Sequence, residues 1–127
     1  MVKAQDRTIF DELIRFLDRE KSSLEYPDQL ILKIGKFFLG TPYSAGSLEK
    51  TAEHLIVNLR ECDCVTFVEN VVALALLIES EQKSFHTFRK LVQKIRYRQG
   101  RLQGYSSRLH YFSDWIHDNQ RKGILRA

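Results

Sequence analysis

The 127-residue sequence contains only two cysteines, Cys62 and Cys64. They are separated by one residue, and a disulfide between them would close a strained ring, so a disulfide-stabilised scaffold is not expected. His54 lies nearby, but no fourth ligand is evident and the spacing matches no zinc-finger pattern. We therefore expect neither a metal ion nor another cofactor.

The sequence also lacks a hydrophobic run long enough to span a membrane. The most apolar stretch, 65–78, is interrupted by Glu69 and Asn70 and is shorter than the about 20 residues that a spanning helix needs. The N-terminus lacks the charged-then-apolar pattern of a secretory signal, which predicts either a cytoplasmic protein or one whose leader is absent from this sequence. The length and the 43% hydrophobic content predict one domain, 1–127, with its own core.

The net charge is +4, and much of the positive charge lies between residues 90 and 108. A basic face of this kind can bind nucleic acid, anionic lipid or an anionic polymer such as cell wall. The run is short, so a solvated helix face is the favoured interpretation. The basic residues of this run are Lys90, Lys94, Arg96, Arg98, Arg101 and Arg108.

Hydrophobic residues recur at helical spacing along most of the chain and predict a largely α-helical domain. Gly40 is a helix stop signal, and the glycine and proline content of 40–46 predicts a loop. The β-branched residues of 54–58 favour a short strand. The predicted helices cover residues 8–20, 28–38, 64–78, 85–95 and 108–121, the last as a helix or a turn.

The helix predicted from Cys64 to Ile78 is apolar almost all round, which is typical of the buried centre of a fold. Glu69 on this helix would then be buried and would need a partner, such as an arginine or a tyrosine hydroxyl. Trp115, near the other end of the chain, is predicted to belong to the core.

Cys64 stands where an extended segment breaks and this helix begins. A thiol there faces the positive end of the helix dipole and unpaired backbone N–H groups, which favour the nucleophilic thiolate. Asp63 is a good N-cap, although its charge and that of Glu61 oppose a thiolate, whereas Arg60 supports it. Because a free cysteine is more often a buried structural residue, this run alone leaves both interpretations open.

Three clusters and two shorter segments together resemble a known family. The clusters are Gly-Thr-Pro-Tyr-Ser-Ala-Gly at 40–46, Asp-Cys-Val-Thr-Phe-Val-Glu at 63–69 and Tyr-Ser-Ser-Arg-Leu-His-Tyr-Phe-Ser-Asp-Trp at 105–115. The shorter segments are 55–59 and 97–100. From about Gly40 to Gly123 the chain resembles the N-acetylmuramoyl-L-alanine amidase-like family, a branch of the NlpC-type, papain-like cell-wall cysteine hydrolases.

The resemblance implies an α+β, papain-like NlpC-type fold, here mostly its helical front part with the later β-sheet largely missing. Within the single domain it implies a helical N-terminal part (6–40), a nucleophile loop and helix (41–80), and a basic helix with a Ser-Arg-x-His-Tyr segment (84–123). The implied reaction cleaves the amide bond between the lactyl group of N-acetylmuramic acid and L-alanine in peptidoglycan. The family works in the periplasm or cell envelope.

The resemblance also implies roles for single residues. Cys64 aligns with the nucleophile, which forms a thioester with the substrate. Tyr43 aligns with a tyrosine that lies beside the nucleophile in the family. The alternative interpretation is that Tyr43 is an aromatic residue packed within its loop. Arg108, His110 and Tyr111 match a motif of the substrate cleft, where Arg108 can pair with a carboxylate of the stem peptide or sugar.

The general-base histidine of the family lies on the later sheet, which this sequence does not supply. We therefore expect weak or no activity from the chain alone, unless His110 reaches the sulfur. The missing sheet would be explained if the chain were a fragment, a split gene product or a half-site completed by another polypeptide. Self-association is also expected, through the surface on which the sheet would pack. Two competing hypotheses remain: a helical binding module for an anionic polymer or nucleic acid, independent of Cys64, and a non-catalytic remnant.

Overall fold

The computed structural model describes residues 3–19, 27–49 and 52–126. These residues contain two single 3₁₀ turns, Arg98–Gly100 and Tyr105–Ser107, and two isolated β-bridges, but no strand. The mostly helical architecture expected from the sequence is confirmed for this part of the chain. The helices are α1 (Ala4–Arg19), α2 (Pro27–Phe37), α3 (Cys64–Glu79), α4 (Phe85–Arg96) and α5 (Phe112–Arg121).

The short strand predicted at 54–58 is wrong. This segment is irregular, and side chains from other elements bond to its backbone instead of a partner strand. Arg96 donates to the carbonyl of Ile56 at 2.5 Å, and the Asn70 amide donates to the carbonyl of Asn58 at 3.1 Å. The β-branched residues therefore reflect burial in a helical domain rather than membership of a sheet.

Two helix starts differ from the predicted ones by more than one residue. Helix α1 begins at Ala4 rather than at residue 8, because the Asp6 carboxylate accepts from the backbone N–H of Lys3 at 2.9 Å and caps the first turn. Helix α5 begins at Phe112 rather than at residue 108, because the Leu109 N–H donates to the carbonyl of Arg96 at 2.9 Å. The predicted end of the first helix at residue 20 lies outside the described residues.

The apolar helix α3 is the centre of the fold, as predicted, and packs against α2 and α4. Helix α1 closes the core through Phe10, whose ring meets Phe85 edge-on at 5.2 Å and Phe88 at 5.6 Å. Trp115 of α5 is also buried, as predicted. The α3 side chains that are fully enclosed include Ala73, Leu74 and Leu77.

Several apolar side chains of α3 are only half-buried, including those of Phe67, Val68 and Leu76, whereas only Cys64 and Glu79 of this helix are exposed. The self-association expected where the sheet would pack stays a prediction. Among the described residues, the exposed aliphatic side chains are Ile31 and Leu32 of α2 and Leu39 just after it. Among the described residues, no helix combines the length and apolarity of a membrane span.

Candidate active site

The first turn of α3 is fixed by a reciprocal capping box. The Asp63 carboxylate accepts from the backbone N–H groups of Val65 at 2.9 Å and Thr66 at 2.8 Å. The Thr66 hydroxyl accepts in return from the backbone N–H of Asp63 at 2.9 Å. The cap predicted for Asp63 is therefore confirmed, and it sets Cys64 as the first residue of the helix, with an exposed side chain.

The loop that carries Tyr43 lies beside this turn. Tyr43 and Cys62 form a parallel β-bridge, in which the Cys62 N–H donates to the carbonyl of Pro42 at 3.1 Å and the Ser44 N–H donates to the carbonyl of Cys62 at 3.0 Å. The Tyr43 side chain is 73% exposed, so it is not a packed loop aromatic. Its contact with substrate stays a prediction.

The two cysteines occupy different environments. Cys64 is exposed, whereas Cys62 is half-buried. Burial, with a further contribution from the charge of Asp63, raises the pKa of the Cys62 thiol above its ordinary value. Since the thiolate is the nucleophilic form, Cys64 is the better placed of the two thiols to react.

This difference predicts the order of alkylation. In iodoacetamide at pH 7.5, we expect Cys64 to be modified at least about tenfold faster than Cys62, because Cys62 is less accessible and burial raises the pKa of its thiol. Peptide mass spectrometry at timed quench points measures both rates in one sample, and the Cys64→Ser variant isolates the slower one. Equal rates at the two positions would contradict this assignment.

A cavity of about 210 Å³ opens beside the α3 N-terminus. Asp63, Val65 and Thr66 line one side of it, and the 108–110 segment lines another. The structure thus brings together the Asp-Cys cluster and the Ser-Arg-x-His-Tyr segment, which lie more than 40 residues apart in the sequence. A substrate group in this cavity would lie next to the Cys64 turn.

The floor of the cavity contains a buried ion pair. Glu69 accepts from the Arg96 Nε at 3.0 Å and from the Trp115 indole N–H at 3.2 Å, and all three side chains are almost fully enclosed. The prediction that Glu69 needs an arginine or tyrosine partner is confirmed by Arg96. This pair ties α3 to α4 and α5 directly beneath the candidate site.

Arg108 is held at the cavity wall by two glutamates. Its Nη2 lies 2.7 Å from a Glu49 carboxylate oxygen, and its Nε lies 3.2 Å from Oε1 of Glu53. The other carboxylate oxygen of Glu53, Oε2, accepts a hydrogen bond from the Tyr97 hydroxyl at 2.5 Å. Burial favours the neutral form of Arg108, but the two carboxylates outweigh the effect of burial and raise the pKa of Arg108. In return, the hydrogen bond from Arg108 lowers the pKa of Glu49.

Sequence reasoning missed this network, because Glu49 and Glu53 lie more than 50 residues before Arg108 in the chain and share no motif with it. The Glu53 side chain is buried, whereas that of Glu49 is half-exposed. Both glutamates therefore compete with a substrate carboxylate for the Arg108 guanidinium, and Glu49 is the more accessible of the two. Direct pairing of Arg108 with substrate stays a prediction.

His110 lines the same cavity, and its side chain is exposed. Its Nε2 lies 2.7 Å from the carbonyl oxygen of Tyr105, and its ring lies over the Tyr105 ring at 4.2 Å. Because a carbonyl only accepts, Nε2 carries the hydrogen, and Nδ1 is the free acceptor of the neutral ring. Tyr111 follows with its side chain 72% exposed.

The basic run does not form one continuous face. Arg96 and Arg108 are buried in the ion pairs described above, whereas Lys90, Lys94 and Arg98 are exposed. Among residues 3–19, 27–49 and 52–126, no group of three or more His, Cys, Asp or Glu side chains is arranged to hold a metal ion.

The sequence profile of the AmiA-like family, described as N-acetylmuramoyl-L-alanine amidase-like, matches residues 33–127. The chain belongs to the AmiA-like family. The matched region contains the α3 N-terminus, the Tyr43 loop and the 108–110 segment, so every residue of the candidate site lies inside it. No curated protein sequence matches the chain significantly.

Solved structures share the fold of this AmiA-like chain. An N-acetylmuramoyl-L-alanine amidase from Bacteroides uniformis is 41% identical with a TM-score of 0.70, over 76% of this chain and 40% of that one. A putative xylanase from Bacteroides fragilis is 47% identical with a TM-score of 0.68, over 73% of this chain and 41% of that one. This chain therefore spans about two-fifths of the length of these relatives.

A protein from Legionella pneumophila extends the similarity towards the N-terminus. It is 25% identical with a TM-score of 0.69, and the match covers 94% of this chain and 37% of that one. A match of this extent must include most of α1, so α1 belongs to the shared fold together with the helices that follow it.

Proposed function

We propose that this chain supplies the nucleophile and part of the substrate cleft of a cysteine hydrolase with NlpC-type, papain-like chemistry. Its proposed substrate is the amide bond between N-acetylmuramic acid and L-alanine in peptidoglycan, and its proposed site of action is the cell envelope. The observation that carries the proposal is an exposed thiol, Cys64, on the first residue of the buried helix α3, whose neighbours Asp63 and Val65 line a cavity. Membership of an amidase-like family supports the choice of bond.

In the proposed reaction the Cys64 sulfur attacks the lactyl carbonyl carbon, and the C–N bond then breaks. The released L-alanine nitrogen takes the proton of the Cys64 thiol, and the lactyl group stays on the sulfur as a thioester. Water then adds to the thioester and releases the lactyl carboxylate. One proton of this water restores the thiol, and the other converts the freed amine to its ammonium form. Atoms and charge balance with one water consumed.

The oxyanion formed during attack needs hydrogen-bond donors. The Val65 and Thr66 N–H groups donate to Asp63, and the Phe67 N–H donates to the Asp63 carbonyl. The N–H of Cys64 is therefore the donor of this turn that we assign to the oxyanion. Tyr43 lies on the adjoining loop, and its exposed hydroxyl is the second donor in the proposal.

Tyr43, Arg108, His110 and Tyr111 are assigned to substrate binding. Arg108 and His110 line the cavity next to the Cys64 turn, which supports their assignment. Tyr43 and Tyr111 do not line it, and their assignment rests on their exposure and on the family resemblance. To act as general base, His110 would need its Nδ1 within hydrogen-bond reach of the Cys64 sulfur or of an intervening water. We assign His110 to substrate contact instead of to this role.

Hydrolysis in ¹⁸O-labelled water tests which bond is cleaved. We expect only weak hydrolysis of muramyl peptides, because the chain lacks the general base of the family. Its products should be free stem peptide without label and N-acetylmuramic acid with one ¹⁸O atom in its lactyl carboxylate, because water attacks the lactyl thioester. Liquid chromatography with mass spectrometry resolves both products. Label at a sugar anomeric carbon, or cleavage within the stem peptide, would contradict the proposed reaction.

A further inference from the structure

A second pocket, of about 350 Å³, lies on the loop between α4 and α5. Every residue that lines it is polar, and none of them lines the cavity beside Cys64. Ser107 lines this pocket, and the next residue, Arg108, lines the other cavity, so the chain separates the two at this point. The lining residues are Arg98, Gln99, Arg101, Gln103, Ser106 and Ser107.

The backbone of this pocket is held in an uncommon conformation. Gln99 has φ +54° and Gly100 has φ +73°, and a positive φ at a residue other than glycine persists only where its surroundings enforce it. Here the Gln99 N–H donates to the buried Asp118 carboxylate at 3.2 Å, and Asp118 also pairs with Lys122 at 2.6 Å. The turn that separates Arg98 from Arg101 is thus fixed from inside the fold.

Hydrogen bonds also fix Ser107 of the lining. Its hydroxyl accepts from the Gln103 N–H at 2.9 Å and donates to the Gly104 carbonyl at 2.6 Å. The Gln103 side-chain amide and the Ser106 hydroxyl add uncharged donors to the two guanidinium groups of the lining. The lining is therefore held by hydrogen bonds at both Gln99 and Ser107 and consists of donor groups.

The positive charge of the pocket is only weakly offset. Arg98 lies 3.9 Å from Asp114, and both side chains are half-exposed, so solvent screens this pair strongly. Arg101 is exposed and has no ion pair with any residue that the structure describes.

We propose that this second pocket binds a small anion with two or three terminal oxygens, either a carboxylate or a phosphate. Guanidinium groups recognise such oxygens through paired N–H donors, and the amide and hydroxyl donors supply the remaining hydrogen bonds. An apolar or cationic ligand does not match this lining. The proposal rests on the geometry of the pocket and does not depend on the reaction at Cys64.

The test is a titration of the ¹⁵N-labelled chain with inorganic phosphate and, separately, with succinate, followed by amide chemical shifts at constant ionic strength. We expect saturable shifts confined to residues 98–107 for at least one anion. The stronger of the two titrations identifies the ligand as a phosphate or a carboxylate. Arg101→Gln is expected to weaken this binding at least about tenfold, since one charge-assisted pair is lost.

The matched control is Arg121→Gln, which removes one exposed arginine at the end of α5 without touching the pocket. We expect it to leave the affinity for both anions within about twofold, because distant exposed charges are largely screened. Linear shifts without saturation, or equal weakening in the Arg101 and Arg121 variants, would overturn the proposal. Shifts reproduced by sodium chloride alone would overturn it as well.

Discussion

Cys64→Ala is expected to reduce muramoyl–L-alanine amide cleavage, already weak in a chain without the family's general base, to the uncatalysed background, because the covalent nucleophile is removed. The substitution is structurally mild, since the Cys64 side chain is exposed and the capping box runs through Asp63 and Thr66. Release of free stem peptide, measured by mass spectrometry, gives the rate.

Cys62→Ala is the matched control for this prediction. Cys62 lies two residues away, but its contacts with Pro42 and Ser44 are made by its backbone and survive the substitution. We expect this variant to keep at least about half of the activity of the unsubstituted chain, because the Cys62 thiol takes no part in the proposed reaction. Circular dichroism confirms that both variants fold. Cleavage that persists in Cys64→Ala would remove Cys64 from the proposed reaction.

The largest expected effect on stability belongs to Glu69→Ala. This change leaves the Arg96 guanidinium and the Trp115 indole N–H buried without their shared acceptor. Breaking a buried ion pair in this way costs about 3–5 kcal/mol, a large part of the roughly 5–15 kcal/mol that stabilises a typical domain. The midpoint of urea denaturation should fall accordingly, with an unchanged slope.

Two further variants separate the ion pair from general damage to α3. Glu79→Ala removes an exposed glutamate from the same helix and should change the free energy of unfolding by less than about 0.5 kcal/mol. The double variant Glu69→Leu/Arg96→Met replaces both charges with apolar groups and should recover much of the loss. If Glu69→Ala and Glu79→Ala had similar midpoints, the pair would not have the stabilising role assigned here.

The α3 N-terminus could be predicted from the sequence because its determinants are local. A capping aspartate, a hydroxyl three residues later and a long apolar run specify a helix start within a few residues, and the structure places Cys64 at that start. The partner of Glu69 was predictable only as a type of residue. Its identity, Arg96, depends on how α3 and α4 pack.

The missed features depend on contacts between distant parts of the chain. Residues 54–58 have strand-like composition, but Arg96 and Asn70 bond to their backbone and no strand pairs with them. Arg108 looked like a free cation in the sequence, yet Glu49 and Glu53 reach it from more than 50 residues away. Local pattern does not encode such pairs, since tertiary packing decides which side chains meet.

A covalent intermediate on Cys64 is the most direct test of the central claim. The chain would be mixed with an activated aryl ester of N-acetylmuramic acid, in which the ester carbonyl is the lactyl carbonyl, and quenched in acid at short times. We predict one N-acetylmuramoyl group attached through a thioester to the peptide that contains Cys64, and none on the Cys64→Ala variant. No adduct, or an adduct on Cys62 instead, would contradict the account.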